Sequence, residues 1–161
     1  MRRISFMLLA VLAVFSFSSQ KSRAVEFGLT PSNVVMLWAN TNNALVRIAE
    51  MAPGGGAGLS RQVKALTPEY FQNKKPSEVL GQVAVFREKL DALRKRTGLP
   101  LTGKFNNPDG KITPSVVFLN TGFVLDSAAE WIIKSSNNKV SAGEFYIPYA
   151  IKGKTPSDAF A

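Results

Sequence analysis

Thr30-Pro31-Ser32-Asn33-Val34, Lys75-Pro76-Ser77-Glu78-Val79, Thr113-Pro114-Ser115-Val116-Val117 and Thr155-Pro156-Ser157-Asp158-Ala159 are four versions of one phrase. A hydrophobic segment begins directly after each. Proline suits the first helical position, where its missing N–H costs nothing, and a preceding threonine can cap the free amides. The phrase therefore starts a helix four times over. Pro156 lies five residues before Ala161. The pattern predicts an all-α, up-and-down helical bundle with three full helices and the start of a fourth, incomplete at its C-terminal end.

The first helix is expected over Pro31 to Met51. Val34, Leu37, Trp38, Thr41, Leu45 and Ile48 recur at helical spacing, and Val35, Ala39 and Val46 widen the stripe toward a second neighbour. Pro53-Gly54-Gly55-Gly56-Ala57-Gly58 ends it. A long connection to Lys75 follows, with one helical turn expected over Leu66 to Phe71. The second helix is expected over Pro76 to Thr97. Its seam of Val79, Val83, Phe86, Leu90 and Leu93 is narrow and its other faces are charged. Arg87–Asp91 and Asp91–Lys95 have the spacing of ion pairs, and Arg94, Lys95 and Arg96 complement the helix dipole. The third helix, Pro114 to Ser135, is apolar nearly all round and reads as central. Trp38, Phe86, Leu125 and Trp131 are expected to be buried together. Another long loop, Ser136 to Thr155, separates the third and fourth starts. Its Phe145-Tyr146-Ile147-Pro148-Tyr149 stretch is extended at Pro148 and too apolar for water, so it should lie across the bundle.

Aligned on Pro-Ser, Val34, Val79 and Val117 coincide, as do the small residues Ala39, Ala84 and Gly122. The spacing of about 40 residues fits an internal helical repeat. Three helices obeying the same capping and packing rules account for it as well.

Arg2 and Arg3, an apolar run from Ile4 to Phe17, and Ser22-Arg23-Ala24 have the order of a secretory signal peptide. Residues 1–24 are read as that signal and 25–161 as one helical domain, periplasmic or secreted, with no transmembrane span after cleavage. The signal carries Arg2, Arg3, Lys21 and Arg23. Without it sixteen basic residues face eleven acids, a net charge of +5 rather than +9. That is weak support for nucleic acid as a partner, and none is expected.

The chain has no histidine and no cysteine. Histidine-based triads, thiol chemistry, disulfides and structural zinc are excluded with them. No metal and no cofactor are expected, and no catalytic residue is assigned. The glycine run lacks the ending of a phosphate loop. Asn106-Asn107-Pro108-Asp109-Gly110 reads as a turn rather than a calcium loop, because Phe105 and Val116 fall where carboxylates belong.

The expectation is an exported, non-enzymatic helical domain that binds a protein partner or ligand. Three helices would leave an open apolar groove where a fourth should lie, suited to a partner or to self-association. Asn40, Asn42, Tyr146, Tyr149 and Phe160 are the candidate interaction residues. The alternatives are a small periplasmic hydrolase using Glu69 or Glu144, and a truncated, inactive remnant.

Overall fold

The computed structural model describes residues 26–161, so the expected signal peptide and the expected start at Val25 lie outside the described residues. Within them the chain forms α1 (Pro31–Met51), α2 (Ala57–Ala65), α3 (Pro76–Arg96), α4 (Pro114–Ser135), a 3-10 turn (Ala142–Phe145) and α5 (Pro156–Phe160). There is no strand among the described residues, and the fold is an all-α bundle.

The four phrases do start four helices. Thr30, Lys75, Thr113 and Thr155 are extended N-caps, each followed by its proline. At three of the starts the third helical residue reaches back. Asn33, Glu78 and Asp158 accept from the backbone N–H of their own cap at 2.9, 2.9 and 2.8 Å. This closes a donor that the first turn leaves open. α4 has the apolar Val116 at that position, and there the Thr113 hydroxyl accepts from the Val116 N–H at 3.4 Å.

All four starts gather at one end of the molecule. Pro31, Pro76, Pro114 and Pro156 surround one small apolar hollow with Val34, Val79, Val117 and Ala159. At the other end Arg94, near the end of α3, donates to Ser127 and Glu130, near the end of α4. The long helices therefore run side by side in one direction, not alternately up and down. The connections are the reason. A helix of 21 residues rises about 32 Å, which roughly ten extended residues can retrace. Each of the segments 52–75, 97–113 and 136–155 is longer than that and carries the chain back.

The starts form a closed ring. α4 packs on α1 and α3, and α5 packs on the same two helices from the opposite side, while the backbones of α1 and α3 stay apart. The serine of the phrase links neighbours in this ring. Ser32 accepts from the N–H of Lys154, Ser157 from that of Lys74, and Ser115 from that of Phe27, at 3.0, 3.0 and 3.1 Å. Lys154 and Lys74 each stand two residues before a start proline, so each bond pins one start to the segment entering another.

α4 is the central helix, with Val124, Leu125, Trp131 and Ile132 fully buried among its neighbours. By length and composition it could cross a membrane, yet most of it is buried inside the bundle. Leu125 and Trp131 meet the expectation, whereas Trp38 and Phe86 are only partly buried and pack on the edge of this core. Two local readings also change. Leu66–Phe71 is not helical, and α2 forms just before it, starting inside the glycine run. The run doubles back so tightly that a Cβ on Gly55 would sit 2.2 Å from the Ala49 carbonyl oxygen. The glycines thus turn the chain into a further helix that packs on α1. Asp91, expected in helical ion pairs, instead accepts from the Thr102 N–H at 2.7 Å and holds the start of the return segment.

Candidate functional site

Two asparagines bind returning segments as a neighbouring strand would. Asn40 donates from Nδ2 to the Ile147 carbonyl at 3.1 Å and accepts from the Ile147 N–H at 3.2 Å. Asn120 does the same to Phe105, at 3.0 and 3.1 Å. Both are almost fully buried. An amide side chain offers one donor and one acceptor in a plane, matching the two groups of a backbone residue.

Of the five candidate interaction residues, Asn40 pairs in this way, and Tyr146 and Tyr149 bond side chains of the helices. Asn40 is 2% exposed. Tyr149 accepts from Asn43 at 2.9 Å, and the Tyr146 hydroxyl donates to Asp126. Burial and then the Asp126 carboxylate push the Tyr146 phenol above its ordinary value. Asn40, Tyr146 and Tyr149 thus fasten the 146–149 segment to α1 and α4. Asn42 is exposed, and it shares a lining with Phe160 on a different face.

That face is the site. α5 fills only the head of the channel between α1 and α3. Ala159 closes the ring hollow, and Phe160 is held from outside. Its ring meets Phe71 edge-on with centroids 4.8 Å apart, and Lys74 Nζ stands 4.2 Å over it. Below α5 the channel is open. A hollow of about 400 Å³ is walled by Trp38, Ala39 and Leu45 of α1 and by Val85, Phe86 and Lys89 of α3. Trp38 and Phe86 meet edge-to-face at 5.9 Å across its floor. A second hollow, of about 760 Å³, adjoins it under the Pro68–Lys74 segment and shares Val35, Pro68, Asp158 and Ala161 with it. The first is of ligand-pocket size, and its walls are mainly apolar with a few polar groups at the edge, as binding sites usually are.

The carboxylates proposed for hydrolysis are not brought together. Glu69 borders the larger hollow, whereas Glu144 stands 3.6 Å from Arg47 and accepts from the Ser141 N–H at 3.2 Å. Asp158 also borders the larger hollow. Hydrogen bonds from the Thr155 hydroxyl and N–H, and then Lys154, hold its carboxyl below the usual range. That favours a fixed anion over a proton donor. Among the described residues no three His, Cys, Asp or Glu side chains gather as metal ligands would.

Sequence reasoning missed Arg94. It is 2% exposed, not displayed at the helix end, and donates to the Pro100 and Ser127 carbonyls and to Glu130 at 2.8, 2.5 and 2.6 Å. It also missed the use of the serines, although a serine repeated in all four phrases was a signal for a shared bond.

No family model matches the chain, and no curated protein or solved structure matches it.

Proposed function

We propose that the chain is an exported, non-enzymatic helical domain that binds a partner through the channel between α1 and α3. One observation carries this reading: a mainly apolar hollow of about 400 Å³ lies between α1 and α3 beside Phe160. Three sectors of the ring hold helices of 21, 21 and 22 residues, and the fourth holds one of five. Apolar surface of this kind gains by burial against another apolar surface.

A hydrophobic dye tests it. The protein of residues 25–161 should bind the dye saturably, and Val85→Glu should abolish binding without changing the helical circular dichroism. Val85 is 48% exposed, so a charge there spoils the channel and spares the core. A protein that ignores the dye and melts sharply would remove the reading, because the described helices would then form a complete surface.

A further inference from the structure

A separate hollow, of about 440 Å³, lies between α3 and the segment that returns to the start of α4. Its walls come from residues 77–87 and 104–120, all interior to the chain, and it shares no residue with the channel between α1 and α3. Two features keep it open. Asn120 holds the Phe105 backbone against α4, and α3 presents Gly81 and Ala84, where a Cβ on Gly81 would meet nothing within 4 Å. The ring is also unlatched at this junction. Ser32 and Ser157 each accept from the N–H two residues before a start proline. Ser77 and Ile112 hold the matching places between α3 and α4, yet no hydrogen bond joins them and both line the hollow.

The charge around this hollow has one sign. Arg87, which is partly buried, and Lys104 line it, and no carboxylate does. Asp91 stands one turn from Arg87 but accepts from the Thr102 N–H at 2.7 Å instead. Neither cation forms an ion pair among the described residues. Leu80, Phe105, Ile112 and Val116 supply apolar surface between the polar ends. From this we infer that the hollow binds a small organic carboxylate with an extended apolar body. The carboxylate lies between Arg87 and Lys104, whose guanidinium and ammonium groups donate charge-assisted hydrogen bonds to it. The body lies over Gly81 and Ala84 toward Ser77. Ser77 and Arg87 are separated on α3 by about 15 Å, which suits an extended molecule and exceeds a bare ion. The volume is in the range of small-molecule sites. Residues 1–25 contain basic residues and no acid, so that part of the chain brings no such anion to the site.

The probe is octanoate, titrated into the isotope-labelled protein of residues 25–161, with 1-octanol as the uncharged control and inorganic phosphate as the bare anion. Gly81 and Gly110 line the hollow, whereas Trp38 lies in the channel. The amide signals of the two glycines should move saturably with octanoate while the Trp38 indole signal stays in place. Arg87→Gln and Lys104→Gln should each weaken binding by about tenfold. Gly81 is an exposed helix position with open space above it. Gly81→Leu should therefore fill the hollow and abolish binding while raising thermal stability, because leucine is the better helix former.

Equally tight binding of 1-octanol would overturn the carboxylate as the recognised group, and equally tight binding of phosphate would overturn the apolar body. Octanoate that moves the Trp38 signal and not those of the glycines, or that binds Gly81→Leu as it binds the parent, would overturn the hollow as its seat. Octanoate binding by a protein that ignores the hydrophobic dye would uphold this site and remove the channel reading alone.

Discussion

The side chain of Asn40 holds both backbone groups of Ile147, although the two residues are 107 positions apart. This is a strand-like pairing made by a helix side chain. It fixes the register of the return segment that leads to α5. Asn40→Ala leaves the Ile147 N–H and carbonyl without these partners in a part-buried site. An unsatisfied buried group costs about 1–3 kcal/mol, so a destabilisation of roughly 2 kcal/mol in urea unfolding is expected. Amide exchange at Ile147 should quicken ahead of exchange in α4.

Arg94 and Glu130 separate two kinds of contribution. The arginine is buried and holds two carbonyls, whereas the side chain of Glu130 is 43% exposed. Glu130→Gln should cost less than about 1 kcal/mol, because solvent screens the charge. Arg94→Ala should cost about 3 kcal/mol or more, since it removes several charge-assisted bonds and the packing of a long side chain. Thermal unfolding of the two variants checks the ordering.

The two tryptophans should behave differently. Trp131 is 2% exposed and belongs to the core cluster, so Trp131→Ala should cost about 3–5 kcal/mol. Trp38 is partly buried at the floor of the channel, and Trp38→Ala should cost less while enlarging the dye site. Equal losses of stability would show that the channel wall is core.

Acid should loosen the helix starts before the core. Backbone and side-chain bonds hold the carboxyls of Glu78 and Asp158 below their ordinary values, led by the Lys75 N–H and the Thr155 hydroxyl respectively. A carboxyl lowered by folding contributes stability that is complete above its unfolded pKa of about 4. That contribution is lost as pH falls through the lower folded value. Both groups are exposed, so the effect is modest and local. Between neutral pH and about pH 3 the amides of 75–78 and 155–158 should lose protection while those of 124–132 keep it.

Much of this fold was legible because local rules agree. Proline at the first helical position and a cap before it place four starts, and the apolar stripes of α1, α3 and α4 extend them. The direction of the helices was not legible, because an amphipathic pattern is the same for a helix pointing either way. The lengths of the connections were the available clue. α2 was hidden by its glycines, which end α1 and permit the next helix in the same few residues. Of the candidate residues, Asn42 and Phe160 reach the channel. Asn40 is buried against the Ile147 backbone, and Tyr146 and Tyr149 bond Asp126 and Asn43 at the surface. Long-range bonds such as Asn40 to Ile147 leave no periodic trace in a sequence.

Phe160 anchors α5, so its removal should free the helix without unfolding the bundle. Isolated helices shorter than about 12 residues are marginal in water, and five residues need the contacts of Phe71, Lys74 and the ring. Phe160→Ala should raise amide exchange in 157–161 to near the unfolded rate. The unfolding of α4 should shift by less than about 1 kcal/mol, as for a peripheral contact.

Four helix starts close one ring and seat α5 at the head of an open channel. Methyl nuclear Overhauser contacts in the labelled protein test it most directly. The Ala159 methyl should show contacts to both Val34 and Val79, and Val117 should share the same cluster. An Ala159 methyl without those contacts and at its random-coil position, or contacts joining the start of one long helix to the end of its neighbour, would contradict the ring and the channel built on it.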